Sequence, residues 1–267
     1  MIEQAKKVMY GLLSGIPSSL AVRESMRLVA LLKHMPAEGG TVLDVGCGDG
    51  SFWLSYPHRA NLNIDGVDLN VHEIDLAKRS GVYRNLWAMD ISRTNLLEKY
   101  NVALGNCSME HIPNINQALK TIHSSLHHDG LLLMFVPAFG WTKSLRFVNW
   151  LTRRSQRLGM ALSGAIDGFF QHHHLYDDRS WSLLVQNAGF RVEACLGLGS
   201  PEINRHFERN LPVAFLEFVF KSGMRCYPPS LGQRRSPPEA FWAELAAQPV
   251  SADSPDIVEY LIVARPQ

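Results

Sequence analysis

Residues 41–70 read TVLDVGCGDGSFWLSYPHRANLNIDGVDLN. An apolar run leads into three glycines at alternate positions, and a second apolar run ends at Asp68. Glycine allows positive φ and removes the Cβ that would hold a ligand away from the backbone. The stretch therefore predicts a strand, a glycine turn, a helix and a second strand. The turn fits either a ligand site or a plain tight turn at Gly46, Gly48 and Gly50.

The composition of the 267-residue chain is that of a folded protein, with 46% hydrophobic and 19% charged residues. The formal net charge is only +1, so the chain has no strong overall positive potential, which disfavours a nucleic-acid partner. The four cysteines are scattered without a CxxC pair, which predicts a reduced, cytoplasmic chain. The N-terminus is a poor signal peptide, and no apolar run is long enough to predict a membrane span.

Strand and helix patterns alternate after the opening stretch. Apolar runs near 86–91, 101–107 and 130–138 predict further strands, with helical patterns at 71–81 and 114–130 between them. Helical spacing also marks 18–34 and 180–190, and two further strands are predicted at 191–197 and 257–266. Such alternation is typical of a parallel sheet with helices on both faces, so we expect an α/β fold.

Carboxylates follow the second and third predicted strands. Asp68 stands where an acceptor can bind two ribose hydroxyls. Asp90, in WAMDI, stands where it can accept from the exocyclic amine of adenine, with Ile91 against the ring. Each aspartate alone fits a turn or a cap equally well. Together, at the ends of adjacent strands, they predict a site for one adenosine.

The ordered set VLDVGCGDG, GVDLN, MDI, ALGNCSMEHIPN and GLLLMFVP resembles the class I S-adenosylmethionine-dependent methyltransferases. The resemblance covers about residues 40–137 and resumes at 180–197 and 257–266. It implies a Rossmann-like, seven-stranded sheet whose antiparallel last strand lies between strands five and six. It also implies one methyltransferase domain over 1–267, with an N-terminal helical segment at 1–36 and inserted substrate-side segments at 138–180 and 200–256.

The resemblance further implies S-adenosyl-L-methionine as cofactor and a set of residues that bind it. Asp44 and the backbone of Gly46, Cys47 and Gly48 would approach the methionine moiety, and Asn106 would face it. Asp68 and Leu69 would bind the ribose and adenine, and Asp90 and Ile91 the adenine edge and face.

Histidines are the candidates for a general base, because a neutral imidazole can accept a proton near pH 7. His111 follows the fourth strand, and His172, His173 and His174 form a second group. The alternatives are a packing role for His111 and a solvated loop for 172–174. Glu110 also fits a role in orienting a substrate hydroxyl or amine. Adjacent histidines point in different directions, so we predict no metal site.

The inserted segment 141–163 contains five basic residues and no acidic one. Its apolar residues recur near helical spacing, which predicts an amphipathic helix. That helix fits an ordinary lid over the active site, and it also fits peripheral contact with a membrane or a carrier protein. We expect residues 200–256 to be irregular, with loop at 227–241 and an apolar wall of the acceptor pocket at 207–223.

These patterns favour a methyltransferase acting on a small, partly apolar molecule such as a natural product, a lipid-like compound or a sugar. Strand four ends in NCSM rather than in the Asn/Asp-Pro-Pro-aromatic run of similar enzymes that act on nucleic acid or protein. A catalytically silent S-adenosylmethionine-binding partner subunit remains an alternative. A nucleotide-dependent oxidoreductase is disfavoured by the GxGxG spacing.

Overall fold

One mixed sheet forms the centre of the fold. The computed structural model describes residues 1–170, 172–224 and 237–267. In these residues the sheet has eight strands in the order β3-β2-β1-β4-β5-β8-β6-β7. The strands are β1 (Gly40–Val45), β2 (Leu62–Asp68), β3 (Asn85–Ala88), β4 (Tyr100–Asn106), β5 (Leu126–Pro137), β6 (Phe190–Leu198), β7 (Val250–Ser251) and β8 (Glu259–Pro266).

Strand directions confirm the expected Rossmann-like methyltransferase topology. The strands β3, β2, β1, β4 and β5 pair in parallel, and β8 runs antiparallel between β5 and β6. The two-residue strand β7 adds an eighth member at the outer edge of β6, which the sequence did not predict. Val45 is in register with Val67 on one side and Gly105 on the other, so β1, β2 and β4 end together.

Helices cover both faces of the sheet. The described helices are α1 (Ile2–Leu13), α2 (Ser18–His34), α3 (Ser51–Leu54), α4 (Val71–Ser80), α5 (Ile115–Ser125), α6 (Arg146–Arg154), α7 (Gln156–Phe169), α8 (Asp178–Asn187), α9 (Pro201–Met224) and α10 (Glu239–Ala247). The helix α2 has the predicted bounds, because extended Met35 precedes Pro36, and a residue before proline disfavours helical backbone.

Alternation along β5 divides the core into two layers. Leu131, Leu133 and Phe135 belong to a cluster shared with α1, α2 and α10. Leu132 and Met134 belong to the opposite cluster, shared with α5 and α8. Successive strand residues face opposite sides of a sheet, so one apolar run supplies both layers. Each fully buried leucine contributes on the order of 1.5–3 kcal/mol.

The inserted segments differ from the sequence expectations. The described part of 200–256 was expected to be irregular but forms the long helix α9, the helix α10 and the strand β7. Pro212 lies inside α9. A loop was predicted at 227–241, and its first part, up to 236, lies outside the described residues. Its last residues, from Glu239, begin α10.

The segment 141–163 is not one helix. A 3-10 turn at 141–144 precedes α6, and α7 follows after a break at Ser155. The Ser155 hydroxyl accepts a hydrogen bond from the Leu158 amide, which caps α7. The N-terminal residues form α1, which lies within the helical segment expected at 1–36. In the described part of the chain, no helix has the length and apolar character needed to span a bilayer.

Candidate functional site

A cleft of about 310 Å³ opens at the carboxyl ends of the parallel strands. Ligands of open α/β sheets bind at such ends. Residues from four strand-to-helix connections face it, so the cleft joins segments that are far apart in sequence. The lining residues are Val45, Gly46, Val67, Asp68, Leu69, Met89, Asp90, Ile91, Cys107, Ser108, His111, Ile112 and Pro113.

The loop after β1 depends on glycine. Gly46 has φ of +73°, and a Cβ at that position would lie 2.3 Å from the Cβ of Ser108. The Gly46 amide donates to the Val67 carbonyl at 2.7 Å, which holds the loop against β2. Gly48 has φ of +53° with open space around its Cβ position. The first glycine is required by packing and the second by backbone conformation.

Asp68 is the polar centre of the cleft. Its Oδ2 accepts a hydrogen bond from the Gly48 amide at 2.9 Å, and its Oδ1 accepts one from the Asn70 amide at 2.8 Å. A carboxylate has about four acceptor positions, so two remain for a ligand. Leu69 lines the cleft beside it and is 73% exposed, which leaves an apolar surface open to a flat ring.

Asp90 and Ile91 lie together at the end of β3. The Asp90 Oδ1 accepts from the Ser92 hydroxyl at 2.7 Å and from the Ser92 amide at 2.9 Å. The hydroxyl hydrogen bond from Ser92 lowers the pKa of Asp90, so the carboxyl is ionised at neutral pH. The Ile91 side chain is buried and lines the same cleft.

Four residues expected near the cofactor are not among the described residues that line the cleft: Asp44, Cys47, Gly48 and Asn106. The Asp44 Oδ2 accepts from Trp53 Nε1 at 2.7 Å and from the Tyr83 hydroxyl at 2.8 Å, and burial raises the pKa of Asp44 to about 7. Asp44 therefore stabilises the loop after β1 through these two hydrogen bonds. The Asn106 side chain faces α2, where it bonds to Arg27 and Glu24.

Cys107 and Ser108 also line the cleft and were not predicted. Cys107 has φ of +48°, unusual for a residue other than glycine. Its amide donates to the Phe135 carbonyl at 3.0 Å, which holds this conformation. Backbone strain of this kind clusters at functional sites. Burial raises the pKa of the Cys107 thiol, so the thiol stays protonated and is a weak nucleophile.

Glu110 and His111 form a carboxyl–imidazole pair at the end of the cleft. The Glu110 Oε1 lies 3.8 Å from the His111 Nε2. Glu110 is 1% exposed, and burial raises its pKa to about 8. His111 is exposed and lines the cleft. The pair combines a neutral, buried carboxyl with an accessible imidazole.

The three consecutive histidines have different environments. The amides of His173 and His174 both donate to the Glu110 carbonyl, at 2.9 and 3.1 Å. Both ring nitrogens of His174 lie at hydrogen-bond distance, one from the Tyr176 hydroxyl and one from the Ile112 carbonyl. The His173 side chain is exposed. The backbone contacts bring His172 to the site, which sequence spacing alone does not indicate.

His172 stacks on His111, with ring centroids 5.5 Å apart and an interplanar angle of 26°. Its side chain is 7% exposed, and burial lowers its pKa to about 4, so the ring is neutral at pH 7. Donor atoms of Glu110, His111 and His172 lie within 4.8 Å of one another. Among the described residues, these three could together supply ligands for a metal ion. No metal site was predicted.

A buried ionic cluster joins α2 to β8 behind the cleft. Arg27 donates from Nε to the Glu259 Oε2 at 2.8 Å and from Nη2 to the Oε1 at 3.1 Å. Arg23 donates from Nη1 to the same Oε1 at 3.0 Å. Burial opposes ionisation of Glu259, but the two arginines outweigh it and hold its pKa below the ordinary value. No local sequence pattern predicted this cluster, because its partners are 232 and 236 residues apart.

Comparison with known proteins gives one family match. The model of a family described as "Methyltransferase domain" matches residues 21–194, which include the cleft, the Glu110–His111 pair and the three histidines. No curated protein matches the sequence.

Solved structures share the fold at low sequence identity. The O-methyltransferase of a trans-AT PKS multienzyme of Brevibacillus brevis, solved with S-adenosyl-L-homocysteine, has 15% identity and a TM-score of 0.53 over 90% of this chain and 71% of its own. Coclaurine N-methyltransferase, bound to N-methylheliamine and SAH, has 15% identity and a TM-score of 0.55 over 92% and 71%. The [4+2]-cyclase SpnF has 16% identity and a TM-score of 0.58 over 91% and 80%.

Proposed function

This chain belongs to the methyltransferase domain family, and we propose that it transfers the methyl group of S-adenosylmethionine to a small, partly apolar molecule. One observation carries the proposal. Two carboxylates, two apolar surfaces and an imidazole line a single cleft at the ends of β1 to β4: Asp68, Asp90, Leu69, Ile91 and His111.

The lining residues fit the cofactor. Asp68 keeps acceptor positions for the ribose hydroxyls, and Asp90 is an ionised acceptor for the adenine amine. Leu69 and Ile91 offer apolar contact to the two faces of the adenine ring. The backbone near Gly46 leaves room for the methionine moiety, where Asp44 and Asn106 hold the surrounding elements. S-adenosylmethionine supplies an electrophilic methyl group, so the protein's main task is to align the acceptor.

Aromatic rings packed next to His111 support a partly apolar substrate. The His172 ring stacks on Phe170 at 5.7 Å and stands edge-on to Trp141 at 6.2 Å. Both aromatic residues come from the inserted segment 138–180. Ligand pockets are lined mainly by such groups, with a few polar side chains that fix orientation.

For an acceptor that must lose a proton, we propose His111 as the general base. It faces the cleft, and neutral His172 stacks on it without adding positive charge. Glu110 lies 3.8 Å from its Nε2, where it can orient the ring. The contacts of His173 and His174 with Glu110 support a positioning role for these two residues.

A second candidate function is cofactor binding without methyl transfer. The fold is shared with the [4+2]-cyclase SpnF, so the fold alone does not fix the reaction. Calorimetry with S-adenosyl-L-homocysteine, followed by incubation with methyl-labelled S-adenosylmethionine and a panel of phenols, amines, fatty acids and sugars, separates the two functions. Transfer of label supports the methyltransferase. Binding of S-adenosyl-L-homocysteine without transfer of label to any acceptor supports the second candidate. Absence of binding contradicts both.

We also propose that α6 and the first turn of α7 contact an anionic membrane surface. Phe147 and Trp150 are 59% and 50% exposed and stack at 6.0 Å, and Leu158 and Met160 are 57% and 66% exposed. Exposed basic residues surround them: Arg146, Arg153, Arg154 and Arg157. Interfacial helices combine apolar side chains with arginine in this way, and the charge is complementary to acidic lipid.

A further inference from the structure

The guanidinium of Arg23 has a buried edge that no described residue contacts by a hydrogen bond. Arg23 is 6% exposed, and among the described residues neither its Nε nor its Nη2 has a hydrogen-bond partner. Buried donors are nearly always paired, because an unpaired one is destabilising. The guanidinium is held in place by Nη1, which donates to Glu259 at 3.0 Å.

The unpartnered edge has a geometry that selects a carboxylate. Nε and Nη2 donate side by side in the guanidinium plane, which matches the two oxygens of a carboxylate. The neighbouring Arg27 uses the same two atoms to bind both oxygens of Glu259. Glu259 receives three hydrogen bonds from the two arginines, and the one from Arg23 comes from Nη1 rather than from the free edge.

Aromatic rings enclose the faces of this guanidinium. The Cζ of Arg23 lies 4.2 Å from the ring centre of Phe207 and 5.2 Å from that of Trp141. These cation–π contacts stabilise the charge but leave the in-plane donors unsatisfied. Trp141 also stands edge-on to His172, which stacks on His111 in the cleft wall. Arg23 is thus joined to the acceptor side of the site through two rings.

Arg23 and Arg27 differ in how many carboxylates they contact. Both arginines bond to Glu259 and hold its pKa below the ordinary value. Arg27 also pairs with Glu24, with its Nη1 3.1 Å from the Oε1, whereas no described carboxylate bonds to the Nε or Nη2 of Arg23. A ligand carboxylate would satisfy these two donors.

We propose that Arg23 binds the carboxylate of the acceptor substrate through Nε and Nη2, with its apolar body against Phe207 and Trp141. The inference rests on the proposed function and names the acceptor class, an apolar or aromatic carboxylic acid. Entry requires one of the two covering rings to move, because the free donors are enclosed.

The test measures binding by calorimetry to protein saturated with S-adenosyl-L-homocysteine. The probes are benzoate, 3-phenylpropanoate and decanoate, each compared with its uncharged carboxamide. We expect at least one acid to bind tenfold or more tightly than its amide. The preference should vanish in Arg23→Gln, shrink in Arg23→Lys, which keeps the charge without the paired donors, and persist in Arg79→Gln, an exposed control on α4.

Equal affinity of acids and amides, or no binding of any acid, overturns the inference without reference to any variant. An acid preference that survives in folded Arg23→Gln also overturns it. If Arg23→Gln does not fold, the wild-type comparison and Arg23→Lys decide. Failure to bind S-adenosyl-L-homocysteine in the first titration contradicts the proposed function instead, so the two failures are distinguishable.

Discussion

The carboxylate of Asp68 accepts a hydrogen bond from the backbone amide of Gly48 at 2.9 Å. This contact joins the end of β2 to the glycine loop after β1, so one hydrogen bond links two sides of the cleft. The same carboxylate bonds to the Asn70 amide, which fixes its orientation before any ligand arrives. A preorganised acceptor of this kind lowers the ordering cost of binding.

Replacement of Asp68 should weaken cofactor binding. For Asp68→Ala we expect the free energy of binding S-adenosyl-L-homocysteine to become less favourable by about 1–3 kcal/mol, because ribose hydrogen bonds to a charged acceptor are lost. Calorimetry measures the change. Asp75→Ala removes an exposed carboxylate on α4, whose described contact is with Lys78, and should leave affinity unaltered. Equal affinities of the Asp68 variant and wild type would remove Asp68 from the site.

Replacement of His111 should affect turnover more than cofactor affinity. With an acceptor that carries a hydroxyl or amine, His111→Ala should lower kcat by roughly 10²–10⁴-fold, the usual contribution of a general base. His128→Ala is the control, because that side chain is 96% exposed outside the cleft. Turnover of the His111 variant that matches wild type at every pH would exclude the base role.

The donor cluster of Glu110, His111 and His172 makes metal dependence testable in the same assay. We expect dialysis against EDTA to leave turnover unchanged, since the prediction is a proton acceptor rather than a metal ligand. Loss of activity with EDTA, restored by one divalent metal, would contradict that prediction and assign the cluster to a metal.

The buried carboxyl of Glu110 should make stability depend on pH. Its folded pKa, about 8, is raised by burial above the ordinary value of 4.5. The folded state therefore holds its proton more tightly than the unfolded state, so the free energy of unfolding falls as pH rises from about 4.5 to 8. In Glu110→Gln we expect the fall in the free energy of unfolding over this pH range to be smaller by roughly 1–4 kcal/mol, as measured by urea titration. Glu38→Gln, an exposed control, should retain the wild-type slope. A wild-type slope in the Glu110 variant would show that this carboxyl is not the cause.

Membrane contact should depend on the exposed aromatic and basic residues of α6. We expect wild type to float with phosphatidylglycerol vesicles but not with phosphatidylcholine vesicles. Trp150→Ala and Arg153→Glu should each reduce flotation several-fold, because one loses apolar contact and the other charge attraction. Leu97→Ala is the control, since this side chain is 97% exposed in the β3–β4 connection. Absence of flotation, or binding of an acidic carrier protein alone, would contradict the membrane assignment.

The sheet and its ligand-binding end could be predicted from the sequence alone. Apolar runs of strand length and helical spacing are local signals, so β1 to β6, β8 and the helix α2 were predictable with small shifts of their ends. Glycine at positive φ and carboxylates after strands are local as well, which is why Asp68, Asp90 and Ile91 were expected together and do line one cleft. The helix α9 was not predicted, because residues 200–256 were expected to be irregular.

The pairs of polar groups that meet in the site depend on how distant segments pack. The Glu110 carbonyl accepts the amides of His173 and His174, and this contact between distant segments places His172, rather than its neighbours, against His111. Likewise, Arg23 and Glu259 meet across 236 residues, and Asp44 faces Trp53 and Tyr83 instead of the cleft. Side-chain partners at such separations depend on how the elements pack, and no local pattern of residues encodes that packing.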